Sequence, residues 1–438
     1  MGPPNQKPDP PLVVLMKKVL KEYDRMCDLF GTSTCPTVRK PIKDCIEENR
    51  LLFRFVVDPQ DRRPVDYWTD AKFVTYLTLD VEKREAFAAK QKKGKVLKTN
   101  KPLVRVLPLL EALRNTRYCE IRELIVYDVL MDHSDLMSLA AITAKGTYKL
   151  EIIELINCFI DAKGLEVFVP TLNSTHSLST LILDFNEFGD DGCHVLCEGL
   201  MQCKWLITLS VRFCDLHKQS GLWLGNLICE TPIRELYVDG NSLEAEGAIA
   251  LLYQLSEAAN QEGIERADAE RAKIEAALAA KNAKTRRVDL DAPPDDPPPQ
   301  PANASNVGDG ELVEMNTNAA IGGKKKKASK LPPSGPQISI LHMSENAINP
   351  LGRGGSFAPV RAMQLLRSII AYSKTLMDVN IFGNEIGDLA ARQLLEGLLL
   401  RMDAKLPKIG LKVSHQIHQD TFDAINQLAP GPKIKKKK

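Results

Sequence analysis

The chain has 438 residues, 44% hydrophobic and 26% charged, an ordinary balance for a folded protein and enough length for several domains or one long repeat array. Its 58 basic and 56 acidic side chains leave a net charge of +2, which excludes a polycation built to coat nucleic acid over its whole surface. No run of 18 uncharged apolar residues occurs, so no membrane span is expected.

The opening MGPPNQKPDPP has no apolar signal core, so secretion by that route is not expected. Apolar spacing at Val13, Met16, Val19 and Leu20 predicts a helix over 12–30, a second helix begins in Pro41–Asn49, and LLFRFVV at 51–57 reads as a strand. Residues 1–72 are read as a cap on the open end of a repeat array. One frame then recurs over 73–256. It is LSTLILDFNEF at Leu178, LITLSVRFCDL at Leu206 and IRELYVDGNSL at Ile233, with LEIIELINCFI upstream at Leu150 and a weaker IRELIVYDVLM at Ile121. A further weak copy begins at Val74. The starts from 121 to 233 are 29, 28, 28 and 27 residues apart, the mark of stacked repeats.

Positions 4 and 6 of the frame alternate as apolar residues on one face of a short strand. The Asn or Cys at position 9 sits where the chain turns off the strand and can satisfy backbone groups there. A helix follows, with Gly192, Gly247 and Gly387 expected between turn and helix. From Glu244 the helix is expected to continue as a charged extension over 257–287, where Arg266–Glu270 and Arg271–Glu275 are spaced for ion pairs. The Pro- and Lys-rich stretch 288–336 is expected to be a disordered insert. The frame returns at Ile338 and Leu376, so the insert reads as a loop grown from one repeat, with strand 338–343 placed beside strand 233–238. Repeats fill 337–400, and 401–438 is read as a C-terminal cap with a polylysine tail.

Seven copies of this frame resemble the ribonuclease-inhibitor-like class of leucine-rich repeat proteins. Position 9 runs Cys158, Asn186, Cys214, Asn241, then Asn346 and Asn384, an alternation which that class also shows; Val129 departs from it. The resemblance covers about 73–256 and 337–400. It implies an α/β fold, a leucine-rich repeat horseshoe solenoid with a strand plus a helix per repeat, and it is unspecific for function.

The search for catalytic motifs is negative: no phosphate loop, HExxH or GxSxG occurs. GRGGS at 352–356 reads as a loop, and His415 and His418 have no partner at metal spacing. Cys193, Cys197 and Cys203 beside His194 form no compact metal pair, and the ten cysteines read as buried thiols of a reducing compartment. No catalytic residue, cofactor or metal is expected. The informative surface is the hollow of the horseshoe. There the strand positions flanking the apolar ones present Tyr127, Glu154, Asp184, Arg212, Glu235, Tyr237, Asp239 and Phe382, with Ile125 and other apolar residues among them. Arg212 stands alone among the acids and reads as an internal ion-pair partner of Asp184 or Asp239. Acids and aromatics together suit a basic or amphipathic segment of a protein partner.

Three lysine segments suit an acidic polymer: 90–101 with Lys92, Lys93 and Lys95; Lys324, Lys325, Lys326 and Lys327; and 432–438 with Lys435, Lys436, Lys437 and Lys438. No aromatic platform accompanies them, so nucleic acid is not the expected partner. The expected function is a non-catalytic scaffold. Its general character resembles the leucine-rich repeat subunits of ciliary axonemes, such as those of the nexin–dynein regulatory complex, which implies cytoplasm, cytoskeleton or cilium as its place and microtubule or axonemal proteins as partners. Regulation of a small GTPase, by resemblance to the Ran GTPase-activating proteins, and inhibition of a basic enzyme are the alternatives.

Overall fold

Alternating apolar residues in each repeat build one sheet. In the computed structural model, which describes residues 9–59, 103–288, 331–352 and 354–431, the strands are β1 (Arg54–Val57), β2 (Glu123–Tyr127), β3 (Ile152–Ile156), β4 (Thr180–Ile182), β5 (Thr208–Ser210), β6 (Glu235–Tyr237), β7 (Ile340–His342), β8 (Asp378–Asn380) and β9 (Gly410–Lys412). They pair in parallel in strict chain order, and the sheet is open. Frame positions 4 and 6, from Leu124 and Val126 to Val379 and Ile381, are all 1% exposed or less. Each such aliphatic side chain contributes roughly 1.5–3 kcal/mol by leaving water.

Helices return the chain from each strand end to the next strand start, and one more follows the last strand. They are α3 (Leu107–Thr116), α4 (His133–Thr143), α5 (Ala162–Phe168) with a 3-10 turn (Val169–Ser174), α6 (Gly189–Leu200), α7 (Lys218–Glu230), α8 (Glu244–Val288), α9 (Ala358–Tyr372), α10 (Asp388–Asp403) and α11 (Gln419–Leu428). Right-handed crossovers between parallel strands leave all helices on one side of such a sheet, and the core lies between the two layers. Gly387 stands just before its helix as expected, with φ 78. Gly192 and Gly247 instead lie inside the first turns of α6 and α8. A Cβ on Gly221 of α7 would sit 2.1 Å from the Gly247 carbonyl oxygen, so that pair lets two helices approach backbone to backbone.

The N-terminal cap is helical. In α1 (Pro11–Phe30) Val13, Met16, Val19, Tyr23, Met26 and Cys27 form the buried stripe, and α1 packs on α3 and on α2 (Pro36–Glu47). The Cys35 N–H donates to the Tyr23 hydroxyl at 2.8 Å, and the Tyr118 hydroxyl donates to the Leu52 carbonyl at 2.7 Å. The strand expected in the cap is the first strand of the sheet: β1 pairs directly with β2, Phe55 opposite Leu124. The copy expected at Val74 lies outside the described residues, as do the lysines of 90–101, Lys324–Lys327 and 432–438 and most of the insert. The sheet also gains β9, which falls in the segment expected to be only a cap; Gly410 bridges to Pro430 there.

β7 lies beside β6, Leu341 opposite Leu236, so the repeats continue across the insert as expected. Chain contacts define two units: residues up to Glu262 together with those from Pro332 form the repeat unit, and 263–331 form a second, described as helix to Val288. In that helix Arg271 pairs with Asp268 at 3.4 Å, three residues back.

Two local features repeat along the solenoid. Position 8 has positive φ in every copy, namely Asp128, Asn157, Phe185, Phe213, Gly240, Glu345 and Gly383. In this conformation the position 8 N–H donates to a carbonyl one repeat on, as Phe185 does to Arg212 at 2.8 Å and Phe213 to Asp239 at 3.0 Å. The second feature has a period of two. Asn186 accepts from the Cys158 and Ile160 N–H groups at 2.9 and 3.1 Å and donates to the Leu155 and Leu183 carbonyls at 2.7 and 2.8 Å. Asn241 clamps Cys214 and Leu216 in the same way, and Asn384 clamps Asn346 and Ile348. The backbone alternates with the clamp. Repeats that are clamped turn left-handed at position 10 (Phe159, Asp215, Ala347), and clamping repeats do so at position 12 (Gly189, Glu244, Gly387).

Asn346 therefore occupies a slot that Cys158 and Cys214 fill elsewhere. Its amide nitrogen donates to the Val238 and Ser344 carbonyls at 2.9 and 3.0 Å, but its Oδ1 is buried with no donor. A buried orphan acceptor costs about 1–3 kcal/mol. Asn346→Cys removes that orphan and is expected to leave unfolding within about 1 kcal/mol of wild type, whereas Asn384→Cys destroys a clamp and is expected to cost about 3 kcal/mol. Urea unfolding of the two variants checks this; equal losses would show that the slots are equivalent.

Candidate protein-binding face

Pairing in register lines up the outward strand residues in rows. One row runs Arg54, Glu123, Ile152, Thr180, Thr208, Glu235, Ile340, Asp378 and Gly410; the next runs Val56, Ile125, Glu154, Ile182, Ser210, Tyr237, His342, Asn380 and Lys412. The third follows the strand ends: Tyr127, Ile156, Asp184, Arg212, Asp239, Ser344 and Phe382. Most of these side chains are partly exposed, and about half of Phe382 is open to solvent. Ile125, expected in the hollow, is buried instead.

The residues expected to meet a partner divide into two groups. Glu154 and Glu235 are partly exposed and lightly held, Glu154 by the Tyr127 hydroxyl at 3.0 Å and Glu235 by the Thr208 hydroxyl at 2.9 Å. Asp184 and Asp239 are built into the fold, at 6% and 8% exposed. Asp184 Oδ1 accepts from the Ser210 hydroxyl at 2.6 Å and the Arg212 N–H at 2.9 Å. Asp239 Oδ1 accepts from the Ser344 hydroxyl at 2.6 Å and its N–H at 2.8 Å. From the sequence both are expected in the hollow, with Arg212 as the internal partner of one of them. The three-residue strands end two positions earlier, so each Asp supplies the acceptor that a longer sheet ladder would give. Burial pushes the Asp184 carboxyl above its ordinary value, against the hydrogen bonds from Ser210 and Arg212.

Arg212 joins both acids, with Nε 2.9 Å from Asp239 Oδ2 and Nη1 3.7 Å from Asp184 Oδ2, and its guanidinium lies 4.4 Å from the centre of the Tyr237 ring. Tyr237 meets His342 edge-on at 4.9 Å, and His342 Nε2 is 2.8 Å from Asp378 Oδ2. The Arg–Tyr–His–Asp chain thus fixes Tyr237 in place across four strands. His342 and Asp378 stand at outward positions of the frame, but the network was not visible, because the Tyr237–His342 contact that joins them to Arg212 spans the long insert.

Cys193, Cys197 and Cys203 are buried, and burial pushes Cys203 up to about 12. Among the described residues no cluster of His, Cys, Asp or Glu could hold a metal ion, and no helix is long and apolar enough to cross a membrane.

Residues 175–197, centred on the Asn186 clamp, match the leucine-rich repeat family. The fold is a leucine-rich repeat solenoid, and its similarity extends to ribonuclease inhibitors. The chain is 28% identical to the ribonuclease inhibitor of Sus scrofa over 263 residues, which is 58% of this chain and 50% of that protein. It is 31% identical to the ribonuclease inhibitor of Mus musculus over 118 residues, 26% of each chain. A shorter stretch of 73 residues is 32% identical to the NACHT, LRR and PYD domains-containing protein 1b allele 5 of Mus musculus, covering 17% of this chain and 6% of that protein. The chain thus spans half or less of these relatives. The alternation of Asn and Cys in the leucine-rich repeats now has its physical cause, since each amide serves two repeats.

Proposed function

We propose that this leucine-rich repeat chain is a non-catalytic scaffold whose concave sheet face captures a basic or amphipathic segment of a protein partner. The observation that carries this is the register: Tyr127 on β2 and Glu154 on the adjacent β3, then Glu235 and Tyr237 together on β6, three strands further along, stand on one face of the sheet, each partly exposed. Aromatic residues supply contact area with few rotors to freeze, and carboxylates steer a cationic partner and raise its encounter rate. Tyr237 is already immobilised between Arg212 and His342, which lowers the entropy cost of binding.

The test places a photo-reactive phenylalanine analogue at Tyr127 or Tyr237, with a control on the convex helices at Tyr253. Cross-linked partner peptides from the two concave positions are expected to be rich in Lys and Arg and to disappear in a Glu154→Lys, Glu235→Lys variant with unchanged melting temperature. Equal recovery from all three positions, or from the charge-reversed variant, would refute the concave site. The finer setting we propose is a cytoskeletal or axonemal assembly, whose acidic tubulin tails suit the lysine segments; the position of the tagged protein in ciliated cells tests it. A second reading, inhibition of a basic enzyme, is favoured by the likeness to ribonuclease inhibitors and is tested by titrating a basic ribonuclease with the chain.

A further inference from the structure

Beside the concave face runs the rim where strands turn into helices. At position 8 of this rim the φ is positive in every repeat, a conformation that Gly, Asn and Asp tolerate and a bulky side chain resists. Four of the seven copies use Asp128, Asn157, Gly240 and Gly383, and a fifth uses Glu345. Two successive repeats instead place phenylalanine there, Phe185 at φ 61 and Phe213 at φ 53. Neither ring repays the strain by entering the core, since they are 49% and 39% exposed. Strain kept at an exposed site points to use of that site.

The two rings form one object. Their planes are 8° from parallel and their centroids 4.7 Å apart. Phe213 in turn packs on the Gly240 backbone, where a Cβ would meet the ring at 2.1 Å. The stack is therefore fixed from one side by a glycine that leaves it room, and about half of Phe185 remains open to solvent. Exposed carboxylates follow each ring by two residues, Glu187 after Phe185 and Asp215 after Phe213.

We propose that the Phe185–Phe213 stack is a docking platform for an arginine side chain presented by a protein partner. A flat guanidinium matches a flat ring, and the ring quadrupole attracts a cation, as already happens within this fold where Arg122 lies 4.8 Å from the Phe53 ring centre. Glu187 and Asp215 add charge complementarity to the cation. The same carboxylates would repel the phosphates of a nucleic acid whose base stacked there, so the platform selects a basic peptide. This site extends the protein-binding reading to the rim and rests on it, but it fails separately: cross-links at Tyr127 and Tyr237 can persist when the rim is inert.

The test uses the full chain carrying 4-fluorophenylalanine, with the Phe185 and Phe213 fluorine signals assigned by substitution. The probes are the peptides acetyl-Gly-Arg-Gly-Arg-Gly-amide and its Lys and Glu counterparts. The arginine peptide is expected to move the Phe185 and Phe213 signals saturably below about 10 mM, the lysine peptide to bind more weakly, and the glutamate peptide to leave them in place. Phe185→Asn with Phe213→Asn suits the positive φ as Asn157 does, so melting should be unchanged or higher. Arginine-peptide affinity, read from the other fluorine signals or by calorimetry, should fall roughly fivefold. Unmoved signals with intact folding, equal shifts with the glutamate peptide, or undiminished affinity of the double variant would overturn the proposal.

Discussion

Asn186→Ala is expected to lower the unfolding free energy by about 4 kcal/mol, since it strips partners from two N–H groups and two carbonyls at a fully buried position. The neighbouring backbone cannot supply replacements, because those groups belong to two different repeats whose turns diverge after position 9. Asn186→Asp should do no better. Its second oxygen would face the Leu155 and Leu183 carbonyls, acceptor against acceptor, inside the core. The damage should be local, because each repeat contacts only its neighbours. Urea unfolding with hydrogen exchange at 152–183 reads both the size and the spread. A midpoint equal to that of wild type would mean that the amide is decoration.

Arg401→Leu should be about as severe, again roughly 4 kcal/mol, for a related reason. Arg401 is 2% exposed and its guanidinium donates to backbone carbonyls: Nε to Pro407 at 2.6 Å, Nη1 to Ile370 and Ser373 at 2.8 and 2.7 Å, and Nη2 to Leu376 at 3.1 Å. One side chain thereby ties the end of α9, the approach to β8 and the exit of α10. Leucine matches the stem and offers no donor, so three buried carbonyls lose their partner where water does not reach, and the part-buried Pro407 carbonyl loses its own. Arg401→Lys should recover only part of the loss, because one ammonium cannot span the spread of a planar fork. Exchange should quicken over 358–428 and stay unchanged around β3 and β4. Uniform quickening along the chain would show that Arg401 supports the whole array rather than its end.

The sheet was legible because its signal is periodic. A strand of apolar residues at positions 4 and 6, returning every 27–29 residues, leaves few alternatives. Even β9 was present as the alternation Ile409, Leu411, Val413, though a cap was expected there. What did not show was the backbone after the strand. Positive φ at position 8 has no composition rule when Asp, Asn, Phe, Glu and Gly all occupy it, so the Phe185–Phe213 stack looked like two ordinary strand-end residues. Asp184 and Asp239 misled for the same reason. Period-two alternation points them into the hollow, and only the early end of the hydrogen-bond ladder turns them inward. Arg401 gave no sign at all, since its acceptors are carbonyls, which every residue carries.

The two-repeat clamp also sets where this chain tolerates interruption. The bonds from Asn186, Asn241 and Asn384 join 150 to 178, 206 to 233, and 338 to 376 as couples, each sewn internally by a single amide. The long insertion enters after the second couple and returns at the start of the third, at a seam that the Asn346 amide nitrogen crosses to the Val238 carbonyl but that no amide clamps from both sides. Growth, loss or grafting of segments in this protein should therefore proceed by couples of about 56 residues, with seams as the natural points of entry. A single repeat removed from within a couple would orphan its amide and bring together two repeats whose left-handed residue stands at the same position, where the fold alternates positions 10 and 12.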